Sequence, residues 1–303
     1  MAKVNNIGVK SGIFFIKLIG YLPFWALFLL SDAFYFLIRL SGYRKKTVMT
    51  NLRNAFPEKS EKEIQNIATK FYRHLCDLFF ETFKLQSMSE AQMRQRVQIS
   101  NAELLNRYYD EGKDVIAVLG HYGNWEWVPS INLFIKAQGC EVYHVIRNKE
   151  YDKYMLGLRS KWGTLNFPMK TSYRSMHKLK MENKRFVIGM ISDQSPAKNK
   201  IQYFTRFLNQ DTPVLLGTEK MAIKTNSPVV FFRFDKIKRG YYKLTVEPLI
   251  ENPRETREYE ITEIHTKHLE NIIREKPEFW LWSHKRWKHK REDVMNATLS
   301  RNA

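Results

Sequence analysis

A long apolar segment near the amino terminus limits how this chain can fold. Residues 13–40 are almost wholly aliphatic and aromatic, and the interruptions are mainly Lys17, Pro23, Asp32 and Arg39. The longest stretch without a charged residue, 18–31, is shorter than the roughly 20 residues that span a bilayer comfortably. The segment is therefore compatible with a spanning helix, with a helix lying in the membrane plane, or with a very hydrophobic core helix.

A signal peptide is the weakest interpretation of this segment, because no small-residue cleavage pattern follows it. Basic residues flank it at both ends, so they favour neither orientation across a bilayer. These residues are Lys3, Lys10 and Lys17 before it and Arg39, Arg44, Lys45 and Lys46 after it. We expect residues 1–45 to form a monotopic, helical membrane anchor on the cytoplasmic face, with a core helix as the alternative.

The charge balance points to an acidic partner. The 303 residues include 50 Lys and Arg against 31 Asp and Glu, a formal net charge of +19. Nucleic acid, anionic lipid and an acidic protein all fit such an excess, so the choice depends on the sites. The two cysteines, Cys76 and Cys140, have neither a CxxC nor a metal-like spacing. Neither a disulfide nor a zinc site is therefore predicted.

The pattern of apolar residues changes along the chain. Residues 14–85 read as helical, and Ser60 and Glu63 have the spacing of a capping box at a helix start. Further on, apolar strands alternate with amphipathic helices, which favours an α/β sandwich with a largely parallel or mixed sheet over residues 46–303. The predicted strands are 115–119, 141–146, 186–191, 229–234 and 241–246, and the predicted helices are 125–137, 151–162, 213–224 and 259–275.

One motif, residues 120–126, lies where a buried strand gives way to a helix. In α/β sheets, side chains at the carboxyl ends of strands open into a crevice where catalytic groups gather. Gly120 and Gly123 allow a tight turn around His121. Glu126, five residues further on, can accept from one imidazole nitrogen and leave the other free as a base. One His and one Glu make a poor metal site, so we expect neither metal nor cofactor.

His121 and Glu126 match the H-x4-D/E signature of glycerolipid-type acyltransferases. Residues 120–126 closely resemble the version found in the late, lauroyl/myristoyl-type acyltransferases of lipid A biosynthesis. The resemblance extends over roughly residues 14–290, and its further parts are 43–46, 51–52, 55–58, Arg147, Arg159, Gly163, 192–194, 212–213 and 280–288. Two positions depart from the family: Tyr122 stands where Phe is usual, and Leu208-Asn209 where a Phe-Gly pair is usual.

The resemblance implies a glycerolipid-acyltransferase-like α/β sandwich with a mixed sheet. It implies transfer of a fatty acyl chain from an acyl thioester, on acyl carrier protein or coenzyme A, to a hydroxyl of a phosphorylated glycolipid, a lipid A precursor, at the cytoplasmic face of the inner membrane. The implied catalytic residues are His121 as base, Glu126 as its partner and Arg159 at the oxyanion. The residues expected to bind substrate are Gly123, Asn124, Arg147, Asp193 and Gln194.

Rival functions remain at this point. Within the same class, the acceptor could be an aminolipid or a lysophospholipid. A membrane-binding protein that keeps a degenerate acyltransferase fold is disfavoured by the presence of both His121 and Glu126. The basic and aromatic tail, 279–291, could stack on nucleic acid, but it also suits a membrane interface. We expect no nucleic-acid partner, and we expect His265 and His268 to lie on the surface.

Overall fold

A computed structural model of the protein describes residues 6–294. Lys3, near the start of the predicted anchor, and residues 295–303, at the end of the predicted α/β domain, lie outside the described residues. The amino-terminal segment forms two helices, α1 (Asn6–Tyr21) and α2 (Phe24–Ser41). Pro23 separates them at the N-cap of α2, where its fixed φ is tolerated. Within residues 6–294, α2 alone is long and apolar enough to cross a membrane, a criterion of length and composition.

Two further helices complete the helical lead-in. They are α3 (Lys45–Ala55) and α4 (Glu61–Lys84). The predicted capping box starts α4, since the Ser60 side chain accepts from the Glu63 backbone and the Glu63 carboxylate accepts from the Ser60 N–H. Both α1 and α2 pack along α4. The predicted boundary at residue 45 coincides with the start of α3, and the division into two domains stays a prediction.

A seven-stranded mixed sheet forms the centre of the protein, as the fold-class prediction required. Its strands are β1 (Val97–Ser100), β2 (Val115–Leu119), β3 (Gln138–Tyr143), β4 (Leu165–Pro168), β5 (Phe186–Ile191), β8 (Val229–Lys238) and β9 (Tyr241–Ile250), while β6 (Tyr203–Phe207) and β7 (Gln210–Val214) form a separate hairpin. The order is β1-β9-β8-β2-β5-β3-β4. Only the β8–β9 pair in this sheet is antiparallel, joined by the predicted turn at Arg239 and Gly240.

Helices cover both faces of this sheet. The remaining ones are α5 (Glu90–Arg96), α6 (Ala102–Asp110), α7 (Lys149–Arg159), α8 (Ser172–Met181), α9 (Gly217–Thr225) and α10 (Glu260–Glu275). Side chains alternate along β2, so that Ile116 and Val118 enter one core cluster and Val115, Ala117 and Leu119 enter the other. Because both faces are covered, the central strands are continuously apolar, as is typical of parallel sheets.

Two predicted helices differ in the structure. Residues 125–137 are a 3₁₀ helix only at Trp125–Leu133, because Pro129 inside the segment lacks the N–H that an α-helical ladder needs. Residues 213–224 divide between β7 and α9, since Pro213 pairs with Phe204 in the small hairpin. Cys76 and Cys140 are buried free thiols.

Candidate active site

The site lies at the carboxyl ends of two neighbouring strands. β2 and β5 run parallel, with Leu119 opposite Ile191 in the last pair, and the Ser192 N–H donates to the Leu119 carbonyl just beyond them. His121 and Asp193 each follow their strand by two residues. The parallel register therefore brings two side chains together that are 72 positions apart in the sequence.

His121 is held by a buried carboxylate. Its Nδ1 lies 2.6 Å from Asp193 Oδ1, and its backbone N–H donates to Asp193 Oδ2 at 2.8 Å. The indole Nε1 of Trp280 also donates to Oδ2, at 2.7 Å. Burial alone would raise the pKa of Asp193, but the charge and hydrogen bonds of His121 outweigh it and lower the pKa to about 2. Asp193 is thus an anion at neutral pH and fixes the imidazole with Nδ1 as the donor.

The other imidazole nitrogen is available for chemistry. Gln194 Nε2 lies 3.1 Å from His121 Nε2, so its amide donates to the lone pair of that nitrogen. The Trp125 ring packs edge-on against the imidazole, with ring centroids 5.1 Å apart. A substrate hydroxyl that displaces the Gln194 amide would meet an unprotonated Nε2, which is the arrangement of a general base.

Glu126 contacts a different partner from the predicted one. Its carboxylate accepts two hydrogen bonds from Arg159, at 3.0 Å from Nε and 2.9 Å from Nη2, and the carboxylate on His121 is Asp193 instead. Such a bidentate pair fixes the guanidinium plane. Burial lowers the pKa of Arg159, but Glu126 more than restores it, so the net shift is upward and the side chain stays charged.

A second carboxylate approaches Arg159 from the sheet. Glu141 Oε1, on β3, lies 3.7 Å from Arg159 Nε and has no hydrogen bond to the described residues. Burial raises the pKa of Glu141 to about 7, although Arg159 opposes the shift. The neutral acid is therefore well populated at physiological pH.

The carboxyl-terminal segment closes the back of the site. The Leu281 N–H donates to the His121 carbonyl at 3.1 Å, and the Gly123 N–H donates to the Phe279 carbonyl at 3.0 Å. Asn51, on α3, donates to the carbonyls of Trp282 and His284 at 2.9 and 3.0 Å. This segment therefore supports the loop that carries His121 through backbone hydrogen bonds.

Three of the residues expected to bind substrate, Gly123, Asn124 and Arg147, make no hydrogen bond to the His121 ring and do not line the cavity beside it. Gly123 has a φ of 63°, and a Cβ there would lie 1.9 Å from the Phe234 carbonyl oxygen. The Asn124 side chain is fully buried and donates to Glu81 at 2.8 Å. Arg147 is exposed in the loop between β3 and α7, without a hydrogen bond or ion pair to residues 6–294. Gly123 and Asn124 thus shape the loop, whereas Gln194 faces the base.

A cavity of about 560 Å³ opens beside His121 and extends along the sheet. Its polar lining side chains include His121, Glu126, Glu141, Arg159, Gln194, Lys200 and Lys288, of which the two lysines are exposed. Its apolar lining residues include Leu119, Val128, Ile131, Val187, Gly189 and Ile191, of which Leu119, Val128, Ile131 and Val187 are buried. A cavity of this size and polarity fits a flexible apolar chain whose reacting end lies beside His121.

Sequence reasoning missed several residues of the site. Trp280 was recognised only as part of a basic and aromatic motif, and its hydrogen bond to Asp193 has no local sequence signal. His265 is buried, so its predicted surface position was wrong; His268 is half-buried and pairs with Glu247 at 2.6 Å. Within residues 6–294, no group of three or more His, Cys, Asp or Glu side chains could hold a metal ion.

Comparison with known proteins shows the family of this chain. Residues 3–289 match the family described as "Bacterial lipid A biosynthesis acyltransferase". The chain is also similar to a "Lipid A biosynthesis acyltransferase" from Haemophilus influenzae, with 21% identity over 284 residues that cover 91% of this chain and 86% of the relative. Because the family match spans nearly its whole length, this chain belongs to the bacterial lipid A biosynthesis acyltransferases.

Proposed function

We propose that this acyltransferase is a membrane-bound O-acyltransferase that moves a fatty acyl chain from acyl-acyl carrier protein to a hydroxyl of a lipid A precursor. The observation that carries the proposal is that His121, which is paired with Asp193, lines a largely apolar cavity. The cavity receives the acyl chain and holds the thioester carbonyl beside Nε2. Coenzyme A is the alternative carrier.

The base in this mechanism is His121 Nε2. It takes the proton of the acceptor hydroxyl as the oxygen attacks the thioester carbon, and Asp193 stabilises the imidazolium that forms. The tetrahedral intermediate then collapses with cleavage of the carbon–sulfur bond, and the imidazolium returns the proton to the departing thiolate. The acyl group passes directly between substrates, so no acyl-enzyme is required.

Arg159 is the proposed donor to the oxyanion. Glu126 engages its Nε and Nη2, while Nη1 makes no hydrogen bond to the described residues. Because a bidentate pair holds the guanidinium rigidly, the remaining donor is preorganised for charge that develops in the transition state. Glu126 therefore acts as a positioning residue for Arg159, and Asp193 takes the partner role on His121.

The net charge of the protein and the exposed apolar residues of α1 and α2 support the proposed acceptor and the proposed location at the membrane. A phosphorylated glycolipid and an acidic carrier protein together account for the net charge of +19. Lys200 and Lys288, two exposed residues that line the cavity, provide cations for such phosphates. The exposed apolar residues of α1 and α2 support attachment to the inner membrane from the cytoplasmic side; they are Phe14, Phe15, Trp25, Leu29, Leu37 and Leu40.

Lipid mass spectrometry tests the acceptor. Lipid A from cells that lack this protein should be lighter by one acyl chain, and expression of the wild-type protein should restore the mass, while His121→Ala should not. An unchanged lipid A together with a missing acylated aminolipid or phospholipid would instead support the alternative acceptors. Purified protein with acyl-acyl carrier protein or acyl-coenzyme A then identifies the donor.

A further inference from the structure

A second cavity lies away from the acyl cavity, between α2, α3 and α4. This α3 groove has a volume of about 620 Å³, and its lining shares no residue with the acyl cavity. Its principal polar side chains are Arg39, Lys45, Lys46, Arg53, Thr69 and Tyr72. The mechanism proposed above uses none of these groups.

The groove carries uncompensated positive charge. Its one acidic side chain, Glu61, is neutralised by Arg53 at 2.7 Å. The side chains of Arg39, Lys45 and Lys46 are exposed and make neither a hydrogen bond nor an ion pair with residues 6–294. Three unpaired cations around one cavity repel one another unless an anion lies between them.

The placement of the lysines adds to this argument. Lys45 and Lys46 form the first turn of α3, which contains no acidic residue and no side-chain cap. Cations at this end oppose the helix dipole, whereas Arg39 in the last turn of α2 complements the dipole of its own helix. An anion in the groove would offset the repulsion at the start of α3.

The surroundings of the groove identify the source of the anion. α2 is the candidate membrane helix, and its outward side chains Phe36, Leu37 and Leu40 are exposed at 59%, 61% and 85%. The groove opens at the carboxyl end of that helix, where Gly42 ends it. With the apolar side chains in the acyl region, the cations would lie at the depth of the lipid headgroups.

We propose that the α3 groove binds the phosphate headgroup of an anionic membrane phospholipid, at a site separate from the acyl-transfer site. Lys45 and Lys46 contact the phosphate, Arg39 approaches it from α2, and the acyl chains of the lipid lie against the exposed face of α2. Charge complementarity and continuity with the apolar face of α2 select a lipid over a free anion. The site is independent of the acceptor, so its binding test needs no acyl transfer.

Native mass spectrometry of the full chain in detergent tests the site. Phosphatidylglycerol should remain bound at concentrations where phosphatidylcholine does not. Lys45→Gln with Lys46→Gln should weaken phosphatidylglycerol binding by roughly 30-fold, because one basic residue near anionic lipid contributes about fivefold. The matched control is Lys62→Gln with Lys70→Gln, which removes two exposed lysines of α4 that do not line the groove.

The control pair should bind phosphatidylglycerol like the wild type. Equal losses in both double variants would mean a general surface attraction and would overturn the proposal, as would unchanged binding in the groove variant. Glycerol 3-phosphate should compete only weakly, and full competition by it would overturn the lipid as the occupant. Circular dichroism checks folding, and the single variant Lys46→Gln, with about a fivefold loss expected, replaces the double variant if that fails to fold.

Discussion

The substitution Asp193→Asn tests whether the partner of His121 is Asp193, as in the structure, or Glu126, as the sequence suggested. The substitution keeps the side-chain volume but replaces one oxygen with an amide that donates. Asp193 accepts three hydrogen bonds, from the His121 ring, the His121 backbone and Trp280. Two of these donors share Oδ2, so the asparagine oxygen is best satisfied there and its amide then faces Nδ1. That contact favours the tautomer with the proton on Nε2, which cannot act as a base.

The expected loss follows from this tautomer change. A histidine held in the wrong tautomer by the same substitution in a serine protease loses about 10⁴ in kcat. We expect a drop of about 10³ to 10⁴ in acyl transfer, equivalent to roughly 4 to 5.5 kcal/mol of transition-state stabilisation. Loss of charge-assisted hydrogen bonds should lower stability by about 1.5–3 kcal/mol.

The assay is acyl transfer by detergent-purified protein, followed by mass spectrometry of the lipid product, with thermal unfolding as the folding control. Combining Asp193→Asn with His121→Ala should cost little more than the poorer single change, because the two groups act as one unit. Glu126→Gln should be strongly non-additive with Arg159→Lys instead. If folded Asp193→Asn kept more than a tenth of wild-type kcat, and Glu126→Gln was non-additive with His121→Ala, the assignment of the dyad would be refuted.

Three further outcomes follow from the geometry. Gly123→Ala should lower the free energy of unfolding by more than about 2 kcal/mol, because φ is positive there and the new Cβ would collide with the Phe234 carbonyl. A thermal unfolding midpoint within about 2 °C of wild type would contradict this prediction. Gly189→Leu should shift acyl preference towards shorter chains by about fourfold per excluded methylene, measured with carriers of graded chain length. The pKa of Glu141 is raised to about 7, so its stabilising protonation is lost as pH rises from about 4.5 through 7. Glu141→Gln should therefore gain up to about 3 kcal/mol of unfolding free energy relative to wild type between pH 5 and pH 8, and parallel pH curves would disprove it.

Much of the fold could be read from the sequence because its signals are local. The apolar alternation and the capping residues identified the helical lead-in, the central strands and the turn at Arg239 and Gly240. Pro213 shows the limit of such signals, since it precedes a helical pattern but pairs in a hairpin with Phe204. The pairing of β6 with β7 determines the strand conformation at Pro213, and the spacing of apolar residues along the sequence does not reveal this pairing.

The residues of the site could be predicted from local signals in the sequence, but their partners could not. His121 and Asp193 were both located at strand ends, and the sequence could show no more than that each opens into a crevice. Their pairing depends on β2 and β5 being neighbours, which is a property of strand order. The spacing between His121 and Glu126 suggested a contact that the 3₁₀ turn directs elsewhere, towards Arg159. Spacing along the chain thus identified the chemical groups but could not assign their partners.

The hydrogen bonds between residues 282–284 and α3 have a consequence for the time at which the protein becomes active during its translation. The hydrogen bond from Asn51 to Trp282 joins positions that are 231 residues apart, and the Trp280 support for Asp193 belongs to the same segment. At about 5–20 residues per second, the ribosome needs roughly 10–50 s to make the intervening chain. During that interval the helices proposed to bind the membrane are already synthesised, while the nascent chain still lacks the segment that donates to Asp193. We therefore expect acyl transfer to begin only after the polypeptide is nearly complete, and a chain that is truncated before Trp280 to be inactive.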